Sequence, residues 1–167
     1  MDLNNFKRRV ERNKYALTKF LQKLDEIVPE DMPELVAKAD AEVWKKVDCQ
    51  SCANCCKTMT PTYSAKDIRR ISAHFGMTPK AFKSKWLQQD TENGDWVNRE
   101  VPCQFLQSDN RCGIYEIRPA DCAEFPHHHK KPFDEYNETF IGNLTRCPAT
   151  LELVQRLKRV VERDYEF

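Results

Sequence analysis

Four of the eight cysteines in this chain lie within eight consecutive residues, in the run Cys49-Gln-Ser-Cys52-Ala-Asn-Cys55-Cys56. The two-residue gaps between the first three cysteines suit thiol ligands of a single metal centre. Core packing gives no reason for a fourth thiol directly after the third. Two adjacent cysteines are also poor disulfide partners, because their side chains diverge along the backbone. The cluster therefore predicts that this protein holds a metal.

The remaining four cysteines are spread downstream, at Cys103, Cys112, Cys122 and Cys147. Eight thiols divide into two sites of four, in which Cys55 and Cys56 would face different metals. The run Cys49–Cys55 with a remote Cys147-Pro148 is typical of bacterial iron–sulfur sites. Each other downstream cysteine fits the remote position equally well. Closed zinc sites use the same four thiolates, so spacing leaves two cofactors open, an iron–sulfur cluster or Zn²⁺, and leaves open one site or two.

The composition limits which cellular compartment and which binding partners we expect. The N-terminus lacks an apolar signal region, and disulfides belong mostly to oxidising compartments, so we expect a cytoplasmic protein with metal-binding thiols. No apolar run approaches the ~20 residues of a membrane span, and mean hydropathy is −0.74. A net charge of +1 lacks the basic field that nucleic-acid binding needs. We therefore expect metal ions as partners, and neither nucleic acid nor membrane.

Apolar periodicity predicts a mainly α fold with a small β-hairpin, an irregular α+β arrangement centred on the metal-binding cysteine cluster. Over the first 28 residues, apolar side chains recur at three- and four-residue steps, which predicts an amphipathic helix. That helix either packs on the domain or, being near the minimum length of a coiled coil, forms a homodimer seam. We expect an N-terminal helical segment at 1–48, a cysteine-cluster domain at 49–148 and a C-terminal helix at 149–167.

Local signals place the elements between the cysteines. The run Ser64-Ala-Lys-Asp67 is a capping box that predicts a helix start, and Thr78-Pro79 predicts a second one. We expect a strand over Trp96–Val101. Two short apolar runs around a polar turn predict a hairpin at Cys103–Tyr115, which would bring Cys103 and Cys112 together.

These segments resemble a known family, the YkgJ-like CxxCxxCC cysteine-cluster family, which is described as a zinc- or iron-chelating domain. The resemblance covers about residues 49–148. It implies that the eight cysteines are this chain's counterparts of the family cysteines. The segments that carry it are Cys49-Gln-Ser-Cys-Ala-Asn-Cys-Cys56, Pro102-Cys-Gln-Phe-Leu106, Cys112-Gly-Ile-Tyr-Glu-Ile-Arg-Pro119 and Cys122-x-x-Phe-Pro126.

Two function classes follow from the residues and the resemblance. The first is a metal-binding protein, with iron–sulfur or zinc held through eight cysteines, acting in metal handling, assembly or redox support. The alternative is an iron–sulfur enzyme or electron carrier, an oxidoreductase or a methyltransferase-like protein, because flagellin lysine methylases include a similar cysteine cluster. The chain shows no Gly-rich nucleotide loop after a strand, so methyltransferase activity does not follow from the sequence. It also has Ala123 where family members often carry arginine, which puts an anion-binding role there in doubt.

Two further features have more than one interpretation. Arg118 is a candidate cofactor-binding residue, because a guanidinium beside thiolates would offset their charge; otherwise it solvates a turn. The triplet His127-His128-His129 is interpreted as a solvated loop, with a metal ligand or proton carrier as the alternative. His74, on a capped helix, is interpreted as structural.

Overall fold

The computed structural model of this protein describes residues 2–165, which form two compact units. Residues 2–52 and 126–165 make up the helical unit, and residues 53–125 make up the sheet unit. Met1, Glu166 and Phe167, at the ends of the predicted segments 1–48 and 149–167, lie outside the described residues. The predicted division at residues 48 and 148 stays a prediction.

Most described residues are helical, and the strands form one small antiparallel sheet, which confirms the predicted fold class. Within residues 2–165, no helix combines the length and the apolar character that a membrane-spanning segment needs. The helices are α1 (Leu3–Leu24), α2 (Met32–Trp44), α3 (Cys49–Cys52), α4 (Asn54–Thr58), α5 (Ala65–His74), α6 (Pro79–Trp86), α7 (Ala120–Glu124), α8 (Asn137–Asn143) and α9 (Pro148–Asp164). The strands are β1 (Thr62–Tyr63), β2 (Leu87–Gln89) and β3 (Trp96–Asn98), and short 3₁₀ turns occupy Tyr115–Ile117 and Asp134–Tyr136.

The helical unit is built on the apolar faces of α1, α2, α8 and α9. Asp2 begins α1 by accepting hydrogen bonds from the backbone of Asn4 and Asn5. The predicted amphipathic helix therefore packs on its own unit, and the homodimer stays a prediction. Burying each large apolar side chain contributes about 1.5–3 kcal/mol. The buried residues of α1 and α9 include Leu17, Phe20, Leu21, Leu24, Leu151, Leu153, Val154, Leu157 and Val161.

The sheet unit begins with the predicted capping box. The Ser64 hydroxyl accepts from the Asp67 backbone, and the Asp67 carboxylate accepts from the Ser64 backbone, each at 3.1 Å. Thr78 caps α6 as expected, with Pro79 at its first position. The sheet has strand order β1-β3-β2, with Val97 of β3 opposite both neighbours. Strands β1 and β2 were not predicted, because two or three residues are too few to show alternation.

The predicted hairpin at Cys103–Tyr115 is a tight turn with a single bridge between Leu106 and Cys112. The Gln107 amide donates to the Arg111 carbonyl at 2.8 Å, and the Gly113 amide donates to the Phe105 carbonyl at 2.8 Å. The two arms of the turn bring Cys103 and Cys112 against one apolar cluster. That cluster contains Tyr63, Ile68, Ile71, Phe82, Leu87, Phe105 and Ile114.

A buried ion pair fastens α5 to the chain that leads into α7. The Arg70 guanidinium contacts the Asp67 carboxylate at 2.6 Å and donates to the Ile117 carbonyl at 2.5 Å. The same carboxylate accepts from the Ala120 backbone at 3.2 Å. Burial acts to raise the pKa of Asp67, but hydrogen bonds from Ser64 and Arg70 outweigh it, so the pKa lies below its usual value. Asp67 therefore stays ionised and holds the segment that precedes Cys122.

We expect Asp67→Asn to lower the free energy of unfolding at pH 7 by about 1–3 kcal/mol, because charge-assisted hydrogen bonds in a buried site are lost. A lowered folded pKa gives stability that is present above the unfolded pKa of about 3.9 and is lost as pH falls through the folded pKa. The difference between wild type and variant should therefore shrink by pH 3. Urea denaturation followed by tryptophan fluorescence measures both. The exposed control Glu30→Gln should change stability by less than about 0.5 kcal/mol. A loss of equal size at pH 7 and pH 3 would contradict this account.

Candidate metal centre

Four thiols of the sheet unit lie close enough to influence one another's ionisation, and we call them the four-thiol group. They come from α4, from the two arms of the tight turn and from α7. The Cys103 amide donates to the Cys56 carbonyl at 2.8 Å, which joins the turn directly to α4. All four are partly buried, so the group is neither solvated nor sealed in the core. Its members are Cys56, Cys103, Cys112 and Cys122.

Burial and the charges of neighbouring cysteines make ionisation of the four-thiol group unfavourable. Burial is the largest cause that raises the pKa values of Cys103, Cys112 and Cys122, and negative charge on Cys56 raises all three further. Negative charge on Cys103, Asp121 and Cys112 also raises the pKa of Cys122. Several thiolates this close repel one another strongly at low local dielectric. They are stable together only when a cation offsets their charge.

Backbone amides nevertheless point toward these sulfurs. Hydrogen bonding by the Phe105 amide favours the ionised form of Cys103, and the Ile114 amide does the same for Cys112, in each case lowering a pKa that burial raises. Both donors lie two residues after their cysteine. Hydrogen bonds to a charged acceptor are about twice as strong as neutral ones, so these amides are best satisfied when the sulfurs are thiolates.

Asn98 supplies a side-chain hydrogen-bond donor, and its partners indicate whether the residues present suit a metal. Its carbonyl oxygen accepts from the Tyr63 hydroxyl at 2.7 Å and from the Gln104 amide at 3.0 Å. Its own amide nitrogen is buried and, among the described residues, makes no hydrogen bond of ordinary geometry. Burial raises the pKa of Cys103, while the nearby Asn98 side chain acts to lower it. A metal-bound thiolate at Cys103 would satisfy this orphaned donor, so the residues fit a thiolate-bound metal.

Sequence reasoning missed Asn98, Tyr63 and Gln104, because none belongs to a cysteine spacing pattern. Burial raises the pKa of Tyr63, and charges on the cysteines of the group raise it further, so the hydroxyl stays protonated and remains a donor. Tyr63 thereby orients Asn98 with its amide nitrogen left for the sulfur. Such outer partners usually tune metal affinity.

The helical unit holds Cys49, Cys52 and Cys147. Cys49 is exposed, whereas Cys52 and Cys147 are buried. Cys147 directly precedes Pro148 and occupies the N-cap position of the 17-residue helix α9. Burial raises the pKa of Cys147 to about 11 and charge on Cys49 raises it too, while hydrogen bonds from Thr150 and the Ala149 amide favour the thiolate. Two cysteines far apart in sequence are therefore electrostatic neighbours in this unit.

The Cys55 and Cys56 sulfurs lie 3.9 Å apart, as adjacent positions on a short helix allow. Within residues 2–165, no three His, Cys, Asp or Glu side chains are already arranged as ligands of one ion. The eight predicted ligands thus comprise the four-thiol group, Cys55 beside it, and three cysteines of the helical unit. Their assignment as ligands stays a prediction.

Arg118 lies beside the four-thiol group. Its guanidinium stacks 4.0 Å from the centre of the Tyr115 ring and donates to the Tyr115 carbonyl at 2.6 Å. Burial raises the pKa of Cys112, and the positive charge of Arg118 acts in the opposite direction. Arg118 is therefore placed to offset thiolate charge, and its role in binding a cofactor stays a prediction.

The interpretation of the histidine triplet as a solvated loop is wrong for His128. This side chain is only 2% exposed, whereas that of His129 is 86% exposed. The His128 ring lies 2.7 Å from the Asp40 carboxylate through Nδ1 and 3.0 Å from the Thr150 hydroxyl through Nε2. Three identical residues in sequence carry no signal for which one turns inward, so the error could not be avoided from local pattern.

Comparison with known protein families gives a match over much of the chain. Residues 48–142, more than half of the chain, match the family described as "CxxCxxCC: Putative zinc- or iron-chelating domain". No curated protein and no solved structure shows a significant match. The matched residues include every cysteine except Cys147.

In metal-free protein at pH 8, we expect iodoacetamide to alkylate the exposed Cys49 at least about tenfold faster than Cys122 and Cys147. Each unit by which the pKa is raised lowers the thiolate fraction about tenfold, and burial also restricts access. Peptide mass spectrometry over a time course measures the rates. In urea the rates should converge, which serves as the control. Equal rates in the folded protein would show that these thiols are neither buried nor raised in pKa.

Proposed function

This chain belongs to the CxxCxxCC family, and we propose that its four-thiol group holds a zinc or iron centre with all four cysteines as ligands. The observation that supports this is the set of partly buried thiols that oppose one another's ionisation while amide donors favour the ionised form. A divalent cation removes that opposition, because it offsets the charge of the thiolates that bind it. Soft thiolates suit both zinc and iron–sulfur clusters.

Four cysteine ligands would close the coordination shell of such a centre, leaving no position for water or substrate. The chemistry that the metal supplies is then structural stability, metal handling or assembly, or redox support if it is an iron–sulfur cluster. We propose this role in the cytoplasm, in keeping with thiols that function in a reduced state. In this arrangement Asn98 and the turn amides would orient the sulfurs, and Arg118 would offset excess negative charge.

The helical unit favours a second centre. The electrostatic proximity of Cys49 and Cys147, with Pro148 directly after the latter, agrees with the iron–sulfur pattern in the sequence. We propose that Cys49, Cys52 and Cys147 contribute ligands to it. The participation of Cys55, which the spacing indicates, stays a prediction. An iron–sulfur cluster here would make an electron carrier or enzyme the alternative function.

Two single variants test how the thiols are divided. We expect Cys112→Ser to remove the metal of the four-thiol group and Cys49→Ser to remove only the metal of the second centre. Elemental analysis and optical spectra of anaerobically purified protein measure the content of each. Iron–sulfur protein should be brown and bleach with oxygen, whereas zinc protein should be colourless.

The control is the double variant Cys49→Ser/Cys112→Ser, which should lose the metal of both centres. If either single variant already loses all of the metal, the two groups form one centre. If Cys112→Ser retains the full wild-type content, the four-thiol group is not a metal site and the proposal fails.

Removing the metal should loosen the sheet unit selectively. We expect a chelator to increase amide hydrogen exchange over residues 103–125, because the bonds from the metal to the thiolates of that segment are lost. Structural zinc contributes about 10–16 kcal/mol of apparent binding energy in zinc-finger peptides, which is enough to order such a turn. The central residues of α9, from Leu151 to Val161, have a fully buried apolar face and serve as the internal control. Unchanged exchange over 103–125 after metal loss would show that packing alone orders the turn.

A further inference from the structure

Helices α5 and α6 carry a charge that is opposite to that of the rest of the sheet unit. Residues 64–89, which contain both helices, have six Lys or Arg residues and one acidic residue, Asp67, which gives a net charge of +5. The remaining residues of the sheet unit have four Lys or Arg and eight Asp or Glu, which gives a net charge of −4. The chain's overall charge of +1 does not show this separation.

Most of the basic side chains on these two helices have no acidic partner. Arg70 pairs with Asp67 at 2.6 Å, and among residues 2–165 none of the other five forms an ion pair. Four of the five are exposed and one, Lys83, is half-buried. Their positive charge is therefore available to an anionic partner. The five are Lys66, Arg69, Lys80, Lys83 and Lys85.

An aromatic ring reaches the surface in the turn between the two helices. Phe75 is 39% exposed, although it is a large apolar side chain. Its ring is stacked on that of the buried Phe105, with 5.7 Å between centroids and 12° between planes. The rings of Trp86 and His74 lie 5.1 and 5.2 Å from it. Phe75 is thus held in place by its neighbours while part of it stays open to solvent.

Two of the unpaired lysines lie against tryptophan rings. The Lys85 ammonium is 4.5 Å from the centre of the Trp86 ring, and the Lys83 ammonium is 4.4 Å from that of Trp96. Because Trp86 also contacts Phe75, positive charge and open apolar surface are adjacent. We call this surface the aromatic–basic face. It consists of His74, Phe75, Lys83, Lys85, Trp86 and Trp96.

The backbone beneath the aromatic–basic face is well fixed. Gly76 adopts the left-handed conformation with φ +62°, and the Met77 amide donates to the Ser72 carbonyl at 2.9 Å, which closes the end of α5. Ile71 of α5 and Phe82 of α6 are fully buried in the same apolar cluster. A face that is already formed loses little conformational entropy when a partner binds.

We propose that the aromatic–basic face docks an acidic segment of a partner protein, with a large apolar side chain of that segment packed on the exposed part of Phe75. The acidic side chains would meet the unpaired lysines, and the apolar one would cover a ring that water now contacts. A long polyanion such as nucleic acid would extend past the two helices and meet the net charge of −4 on the rest of the unit, which repels phosphates. A short acidic segment contacts the basic helices alone. The proposal is independent of the metal sites, since the face contains no cysteine.

Fluorescence anisotropy with a labelled synthetic peptide, Glu-Asp-Glu-Phe-Glu-Asp-Glu, tests this on the full-length protein with its metal as purified. We expect saturable binding that weakens as salt is added, because exposed charges are screened. Replacing the phenylalanine of the peptide by serine should weaken binding at least about tenfold, because the apolar anchor is lost. This change leaves the protein itself intact, so it is free of any effect on folding.

A pair of matched variants locates the binding. We expect Lys80→Gln/Lys85→Gln, which removes two exposed charges from α6, to weaken binding of the peptide at least about fivefold. The control Lys14→Gln/Lys19→Gln removes two exposed charges from α1, in the other unit, and should change the affinity by less than about twofold. Amide chemical shifts should change on peptide binding within residues 73–86, and those of α1 should stay unchanged.

The same assay with a single-stranded DNA oligonucleotide of equal charge separates the two kinds of anionic partner. Weaker binding of the oligonucleotide than of the peptide supports the proposal. If the oligonucleotide binds more tightly and displaces the peptide, the face is a nucleic-acid site and the proposal is overturned. It is also overturned if the serine peptide binds as well as the phenylalanine peptide, or if both double variants bind the peptide equally, since either result would mean attraction between charges without a docking site.

Discussion

The free-energy cost of ionising several neighbouring, partly buried thiols is the constraint that distinguishes the sheet unit. Cys56 opposes the ionisation of Cys103, Cys112 and Cys122, and burial opposes it further. A core of ordinary residues would place apolar atoms here, because apolar burial stabilises without needing a partner. This unit instead surrounds sulfur with amide donors and one guanidinium, which are suited to negative charge. That combination suits thiolates that bind a cation, in keeping with membership of a family described as zinc- or iron-chelating.

In the rest of the sheet unit, a few hydrogen bonds and one ion pair hold these sulfurs in place. The tight turn aligns Cys103 with Cys112, and one backbone hydrogen bond attaches it to Cys56. The Asp67–Arg70 pair fastens the segment before Cys122 to α5. Because these interactions are made by backbone groups or by the buried Asp67 carboxylate, the positions of the thiols do not rely on a large core around α4. The strands of this unit are only two or three residues long.

The helical unit is stabilised in a different way. Its helices bury continuous apolar faces, and among them the buried His128 ring joins the Asp40 carboxylate to the Thr150 hydroxyl. Buried polar networks are favourable only when fully satisfied, and in this one both ring nitrogens of His128 have a partner. The N-terminus of α9 adds a partial positive charge beside the sulfur. Cys147, at the N-cap position of α9, therefore sits where the end of the helix favours a thiolate.

Sequence alone determined the features that depend on near neighbours along the chain. Helix α1 followed from apolar periodicity, α5 and α6 from their caps, and the turn after Cys103 from its flanking apolar runs. Only the tertiary structure decided how cysteines distant in sequence are grouped, because thiol spacing carries no information about which remote segment folds back. It also decided that His128, and not its neighbours, turns inward to Asp40, and that Asn98 faces Cys103. Those choices depend on long-range burial and on satisfying buried polar atoms, and neither leaves a periodic trace in the sequence.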